Sequence, residues 1–313
     1  MRWRDYLLAL VVVSSWGFNF VVIRWGLHGL PPMLLGALRF LLVAVPAVFF
    51  IPRPALAARY WLGYGVVWGV GQFGFLFTAM QVGMPAGLAS VVLQSQAFFT
   101  LLFAALWLGE RWRWFQLAGL LVAAGGLTLI GLSHGVGLGA MSLLGFSLTL
   151  CGAAAWALGN ILIRQLSRQG IAFQASHFLF WAAIPPIIIF SLLSLWLDGP
   201  TAIATAIRDI SLRSILAVLY LAWVATILAT SIWNRLLQDY SANQVAPFSL
   251  LVPWFGLASA ALLLDEALLP QQWLGAAILM LGLLLNVFGG RLAGLPTLGR
   301  GLASKLGWAP RQG

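Results

Sequence analysis

Acidic side chains are scarce in this sequence. There are seven in 313 residues, and Asp5, Glu110, Asp198, Asp209, Asp239, Asp265 and Glu266 all fall between apolar runs or at their ends. A chain with no carboxylate inside an apolar run lacks the buried counter-ion that carriers of organic cations use, and lacks the usual intramembrane proton carrier. The single Cys151 excludes an internal disulfide. His28, His134 and His177 stand far apart, and no metal-ligand spacing, nucleophile elbow or phosphate loop occurs. The residues therefore describe no enzyme, and they call for no cofactor and no metal. Charged residues of both signs reach only 8%, where a water-soluble globule carries about 25%.

What the chain has instead is apolar length, with 62% of its residues hydrophobic. A hydrocarbon core about 30 Å thick needs about 20 apolar residues per helix, and irregular backbone cannot face lipid. The pattern predicts an all-α polytopic membrane protein of ten transmembrane helices, near 6–24, 32–51, 61–82, 85–107, 114–132, 142–164, 175–197, 214–236, 243–263 and 270–289. The first run has no small-residue cleavage site and is read as retained. The net charge of +10 is spread over short loops and not gathered on one face, which argues against nucleic acid. With the N-terminus inside, thirteen arginines and lysines lie in cytoplasmic segments and three, Arg24, Arg208 and Arg213, on the opposite side. That bias places both termini in the cytoplasm and the chain in a bacterial inner membrane, its lipid bilayer a partner in itself. Nothing in the sequence requires more than a monomer.

The chain also repeats itself. Adding 156 carries Glu110 onto Glu266, Gln116 onto Gln272, Gly119 onto Gly275 and Gly126 onto Gly282, so the pattern E-x5-Q-x2-G occurs twice. Adding 140 carries Trp16 onto Trp156, Ile23 onto Ile163 and Arg24 onto Arg164. The difference is taken up by DGPTAIATAIRDISLRS, which is longer than its counterpart around Pro52 to Tyr60. The expected organisation is a first five-helix repeat over 1–138, a second over 139–290 and a basic cytoplasmic tail over 291–313. An odd number of crossings inverts the second copy, which places a central cavity between two inverted repeats.

Candidate site residues are the polar and aromatic side chains within the runs. Trp16 and Asn19 are three apart, and Trp156 and Asn160 four apart, so each ring shares a helical face with an amide. An indole offers a flat wall and a surface for an ammonium, and an amide offers donors and acceptors, although the same pairs also suit helix packing. Gln72, Gln94 and Gln96 are the other deep amides. Gln94 and Gln96 are about 200° apart on a helix, so they are expected to face different neighbours. Arg39 is a candidate carboxylate contact, with snorkelling or a carbonyl partner as its competing role. His177, with Trp181 one turn away, is the remaining candidate. Pro247 and Pro253 are candidate hinges, since a proline within a helix removes a hydrogen bond and can kink it. Glu110 with Arg111, and Asp265 with Glu266, read as end anchors in the bilayer.

The segments SSWGFNFVVIRWGL, GALRF, GLASVVLQSQAFFT through GER, and VAPFSLLVPWFGLASAALLLDE through NVFG resemble EamA-type members of the drug/metabolite transporter superfamily. The likeness is greatest to bacterial inner-membrane exporters of O-acetylserine and cysteine, with exporters of aromatic amino acids as relatives. It implies two five-helix units and a cavity closed alternately at either face. The helix 1 glutamate typical of small multidrug relatives is replaced by the Trp16 to Asn19 segment, which argues against drug export. The expected function is export of a small-molecule substrate, an amino acid or related metabolite, by alternating access. A passive channel for small neutral solutes and a membrane-embedded lipid-modifying enzyme are the alternatives.

Overall fold

Each apolar run folds as a helix because only a helix satisfies its own backbone groups in lipid. The computed structural model describes residues 1–135, 140–171 and 173–293. The expected repeat boundary at 138/139 and the tail from 294 onward lie outside the described residues. Among those described, nine helices are long and apolar enough to cross a membrane: Trp3–Leu27, Ala58–Gln81, Ala86–Leu108, Trp114–Leu132, Leu143–Arg168, Ala175–Leu197, Leu212–Asp239, Ala246–Leu263 and Pro270–Gly290. Pro32–Val48 is the shorter tenth, and in chain order these are spans 1 to 10 with Pro32–Val48 as span 2. The long connection after span 7 is itself a helix, Gly199–Arg208, started by Pro200 in its first turn and apolar along one side. A proline there loses no hydrogen bond, because the first N–H groups of a helix have no intrahelical acceptor.

The repeated motif has a local explanation at every position. Gly109 closes span 4 with φ +64°, and Asp265, its mate, closes span 9 with φ +53°. This left-handed turn is easy for glycine and tolerable for aspartate. The next residue in each copy is the glutamate. Gln116 then caps span 5 by accepting from Arg113 N–H at 2.8 Å, and Gln272 caps span 10 by accepting from Leu269 N–H at 3.0 Å.

The final glycines of the motif bring spans 5 and 10 together. A Cβ on Gly126 would lie 2.6 Å from the Gly275 carbonyl oxygen, and one on Gly119 would lie 2.7 Å from that of Gly282. As the first number rises the second falls, so two equivalent spans cross antiparallel and the halves are inverted. Several further interfaces obey the same exchange. Span 1 packs on 9 as 6 packs on 4, span 1 on 8 as 6 on 3, and span 2 on 8 as 7 on 3. Spans 2 and 7 meet each other, with Gly36 under the Phe190 ring and Phe40 stacked on Phe190 at 6.1 Å. Lipid is as apolar as the side chains, so such close approaches supply the van der Waals contact that holds membrane helices together.

The crossing of spans 5 and 10 predicts a size limit. Gly126→Val is expected to cost about 1–3 kcal/mol through overpacking against the span 10 backbone. The measurement is the thermal unfolding midpoint of the purified protein in detergent. Gly125→Val, at a position facing open space, should leave the midpoint nearly unmoved, with stability within about 0.5 kcal/mol of the parent.

Candidate functional site

Four spans depart from regular α-helix, span 9 at its start and the others within their length, in two symmetric pairs. Span 3 is π-helical over Gly65–Gln72 and span 8 over Tyr220–Leu228. Span 4 tightens to a 3-10 turn over Leu93–Ser95 and span 9 over Ala246–Leu251. The shift of 156 carries 65–72 onto 221–228 and 93–95 onto 249–251, so each break has its mate in register. Departures of this kind are frequent at functional sites because they change the direction of side chains and free carbonyls from the helical ladder. The two 3-10 turns touch: Gln94 Nε2 donates to the Ser249 carbonyl at 3.2 Å.

Pro247 lies in the 3-10 segment of span 9, and Pro253 in the first turn of the α-helix Val252–Leu263 that follows. The expected kink at Pro253 is therefore displaced. The break precedes that proline, which occupies a first-turn position where its missing N–H removes no helical bond.

Around these breaks stand most of the sequence-predicted residues. Trp16 donates from Nε1 to the Ala225 carbonyl at 3.0 Å and leans on the Trp233 ring at 5.2 Å. Arg39 donates from Nε and Nη2 to Thr226 Oγ1 at 3.2 and 2.8 Å, with its guanidinium carbon 4.1 Å from the Phe73 ring centre. Gln72 immediately precedes Phe73, and Ala225 immediately precedes Thr226, so Trp16, Arg39 and Gln72 border one region of spans 1, 2, 3 and 8. Asn19 follows Trp16 by one turn on span 1.

That region has unfilled hydrogen-bonding capacity. Asn19, Arg39 and Gln72 are 8%, 3% and 4% exposed, yet Asn19 Oδ1, Arg39 Nη1 and Gln72 Oε1 have no partner. Ser95 Oγ on the 3-10 turn of span 4 is likewise buried and unpartnered. The ion pairs found among the described residues, Glu110 with Arg164 and Arg168, Arg208 with Asp209 and Arg235 with Asp239, lie at span ends or in the connection after span 7. Arg39 thus keeps a buried donor without a carboxylate, an arrangement that burial penalises by several kcal/mol.

The other candidates divide between neighbours. Gln96 accepts through Oε1 from Asn160 Nδ2 at 2.9 Å, and the same amide nitrogen donates to Thr100 Oγ1 at 3.1 Å. Gln94 and Gln96 face span 9 and span 6 respectively, in the divergent directions their spacing implies. Trp156 is half-buried one turn before Asn160. Trp181 stands apart: its Nε1 donates to the Ile51 carbonyl at 3.2 Å, and its ring meets Trp61 at 5.7 Å and Arg53 at 5.0 Å. It and half-buried His177 therefore sit by the connection between spans 2 and 3, away from Arg39. A cleft of about 400 Å³ between spans 3, 4 and 6 is lined by Val67, Trp107, Leu108, Leu158, Ile161, Leu162 and Gln165 and contains none of the candidates. Its walls are almost wholly apolar, so it has little with which to orient a polar solute.

Thr226, Thr100, Ser95 and Ser249 are not legible as site residues in the sequence, since a lone hydroxyl in an apolar run carries no motif. Glu266 reads there as an anchor, and it does more: its carboxylate accepts from the Ala86 and Gly87 amides across the interface with span 4. The sequence signal for it is present, because a glutamate in register between two repeats is unusual in so apolar a chain.

The family model described as the EamA-like transporter family matches this chain twice, over residues 3–132 and 143–288. Two curated relatives are named "Probable amino-acid metabolite efflux pump". The Escherichia coli K12 protein is 48% identical over 289 residues, covering 92% of this chain and 96% of its own. The Salmonella typhimurium protein is 50% identical over 293 residues, covering 93% and 97%. A crystal structure at 18% identity superposes with a TM-score of 0.60 over 94% of this chain and all 100% of that one, which shows a shared fold.

The Arg39 anchor gives a stability prediction. Thr226→Val removes the acceptor of two guanidinium N–H groups and should cost about 1–3 kcal/mol, the penalty for leaving buried donors unmade. Thr226→Ser keeps the oxygen and should stay close to the parent. Thermal unfolding of the purified variants measures both.

Proposed function

The chain belongs to the EamA-like transporter family, and we propose that it exports small amino acids or their derivatives across the bacterial inner membrane. It is a multi-pass transporter and not an enzyme. The substrate reading is supported by the names of the two relatives and above all by the unpartnered buried groups of spans 1, 2 and 3. Arg39 Nη1 is a cationic donor, while Asn19 Oδ1 and Gln72 Oε1 are neutral acceptors. An α-amino acid carries the complement, a carboxylate that accepts and an ammonium that donates. Trp16 and Trp156 supply flat apolar surface on either side, and the Gln94, Gln96 and Asn160 amides border the path through the broken spans.

In this reading the substrate carboxylate completes the valence of Arg39, and the ammonium is held by amide oxygens without a carboxylate. A protein carboxylate there would neutralise Arg39 and remove the site's preference for an anion. The charge bias of the loops puts both termini in the cytoplasm, and alternating closure of the two faces moves the solute outward.

Purified protein in proteoliposomes tests the reading by counterflow. Radiolabelled amino acids should exchange against an unlabelled internal pool with saturation, which an open channel does not show. Arg39→Gln should lower uptake at low substrate concentration by about tenfold or more, the worth of a charge-assisted contact. Amino-acid amides, which lack the carboxylate, should compete poorly. Equal competition by acid and amide would overturn the assignment of Arg39.

A further inference from the structure

The cleft between spans 3, 4 and 6 is apolar along its length and basic at one end. Leu158, Ile161, Gln165 and Arg168 follow one another along a single stripe of span 6. The first three line the cleft, a stretch of about 10 Å along the helix. Arg168 ends that stripe, and its Nη1 donates at 2.8 Å to the carbonyl of Leu108, another residue of the wall. On span 3, Tyr60 stands seven residues before Val67 of the opposite wall, so the two share a face. The Tyr60 hydroxyl donates to Gln169 Oε1 at 3.2 Å and accepts from Arg59 Nη2 at 3.2 Å. Arg59 and Arg168 thus flank one link between spans 3 and 6.

Charge at this end is unbalanced. Glu110, held by Arg164 and Arg168, is the acid of the cluster. It shares a second cavity of about 330 Å³ with Arg111, Arg113 and Arg164. With Arg59 and Arg168 that makes five guanidinium groups against one carboxylate. All seven acidic side chains of the sequence lie among the described residues, and none of them pairs with Arg59. Both Arg59 and Arg168 are exposed. Trp107 of the cleft wall is 60% exposed and meets the Phe103 ring at 4.9 Å. An indole in such a place suits the boundary between acyl chains and headgroups.

A ligand that matches these features has a long apolar limb and a negative head. We propose that the cleft binds an anionic glycerophospholipid, with an acyl chain between spans 3, 4 and 6 and the phosphate at Arg59 and Arg168. The charge bias of the loops puts this end at the cytoplasmic leaflet, where basic pockets between membrane helices attract acidic headgroups. A small polar solute gains nothing from a leucine and isoleucine wall, and a zwitterionic lipid brings an ammonium that the arginines repel. Spans 3 and 4 belong to one repeat and span 6 to the other, so the bound lipid bridges the halves. The cleft contains none of the groups around Arg39, and the lipid site does not depend on what is carried.

Native mass spectrometry of the detergent-purified protein, titrated with dioleoyl phosphatidylglycerol, tests the site. The parent should hold this lipid about tenfold more tightly than dioleoyl phosphatidylethanolamine. Arg59→Gln and Arg168→Gln should each weaken it about fivefold, the worth of one arginine beside an acidic headgroup. Arg235→Gln, which neutralises a cation at the end of span 8, should leave it unchanged. Leu158→Trp fills the cleft with both arginines in place and should weaken binding about tenfold, as methylenes lose their burial. Leu162→Trp repeats that test from the same wall if Leu158→Trp does not fold. Inorganic phosphate at millimolar concentration should not displace the lipid. Equal binding of the two lipids, equal losses in Arg59→Gln and Arg235→Gln, parent-like binding in the cleft-filling variants, or displacement by inorganic phosphate would overturn the assignment.

Discussion

Lipid gives apolar helices no hydrophobic reason to adhere, so this molecule depends on backbones approaching closely enough for van der Waals contact. The antiparallel crossing of spans 5 and 10 is the clearest case. Gly119 lies against Gly282 and Gly126 against Gly275, with no room for a Cβ at any of the four. Because those spans are equivalent members of two repeats, that one contact also sets the relation between the halves. Several other interfaces are their own mate or occur twice: span 4 meets span 9, span 2 meets span 7, and the packing of span 1 on 8 and 9 recurs in that of span 6 on 3 and 4. A cavity between the halves is bordered by equivalent elements from opposite sides, which lets one fold present a similar pathway to either face.

Strict symmetry would make the two faces alike, and they are not. The departure lies in how equivalent groups are engaged. Glu266 accepts from two amides of span 4 and Glu110 is held by Arg164 and Arg168, while the 3-10 turns of spans 4 and 9 are joined through Gln94 and Ser249. The join lies within the two 3-10 segments, and the glutamates lie just beyond the ends of their spans. The π-helical stretches of spans 3 and 8 flank this region, and a widened turn tolerates small rotations of the half-helices on either side.

Much of this architecture is legible because inverted repeats leave a numerical trace. Glu110, Gln116, Gly119 and Gly126 recur at one offset, and each copy puts them to structural use, the glutamate as a tether between spans, the glutamine as helix cap and the glycines as crossing contacts. The span limits are legible because apolar length in a membrane has one solution. The helix breaks are less so. Prolines point to span 9, but Pro253 starts a helical segment and does not kink one, and the π stretch over Tyr220–Leu228 contains neither proline nor glycine. Which amides share a site is legible only in part. Helical spacing separates Gln94 from Gln96 correctly, but nothing linear joins Arg39 to Thr226, 187 residues apart. Trp181 and His177 are one turn apart in sequence, and tertiary packing puts both beside the connection between spans 2 and 3.

A site that must release its ligand cannot be completed by the protein alone. Groups satisfied internally have no free energy left to offer a solute, and groups left wholly exposed are satisfied by water. Asn19, Arg39 and Gln72 occupy the narrow case between these, buried from water and short of one partner each. The cost is limited because Arg39 keeps Thr226 and the Phe73 face, so only part of its donor set is unfilled. Close packing of glycines elsewhere, together with capped helix ends, supplies the stability against which that cost is set. Frustration is thereby concentrated where the broken helices meet, and a ligand that relieves it gains affinity from the same groups that destabilise the empty protein.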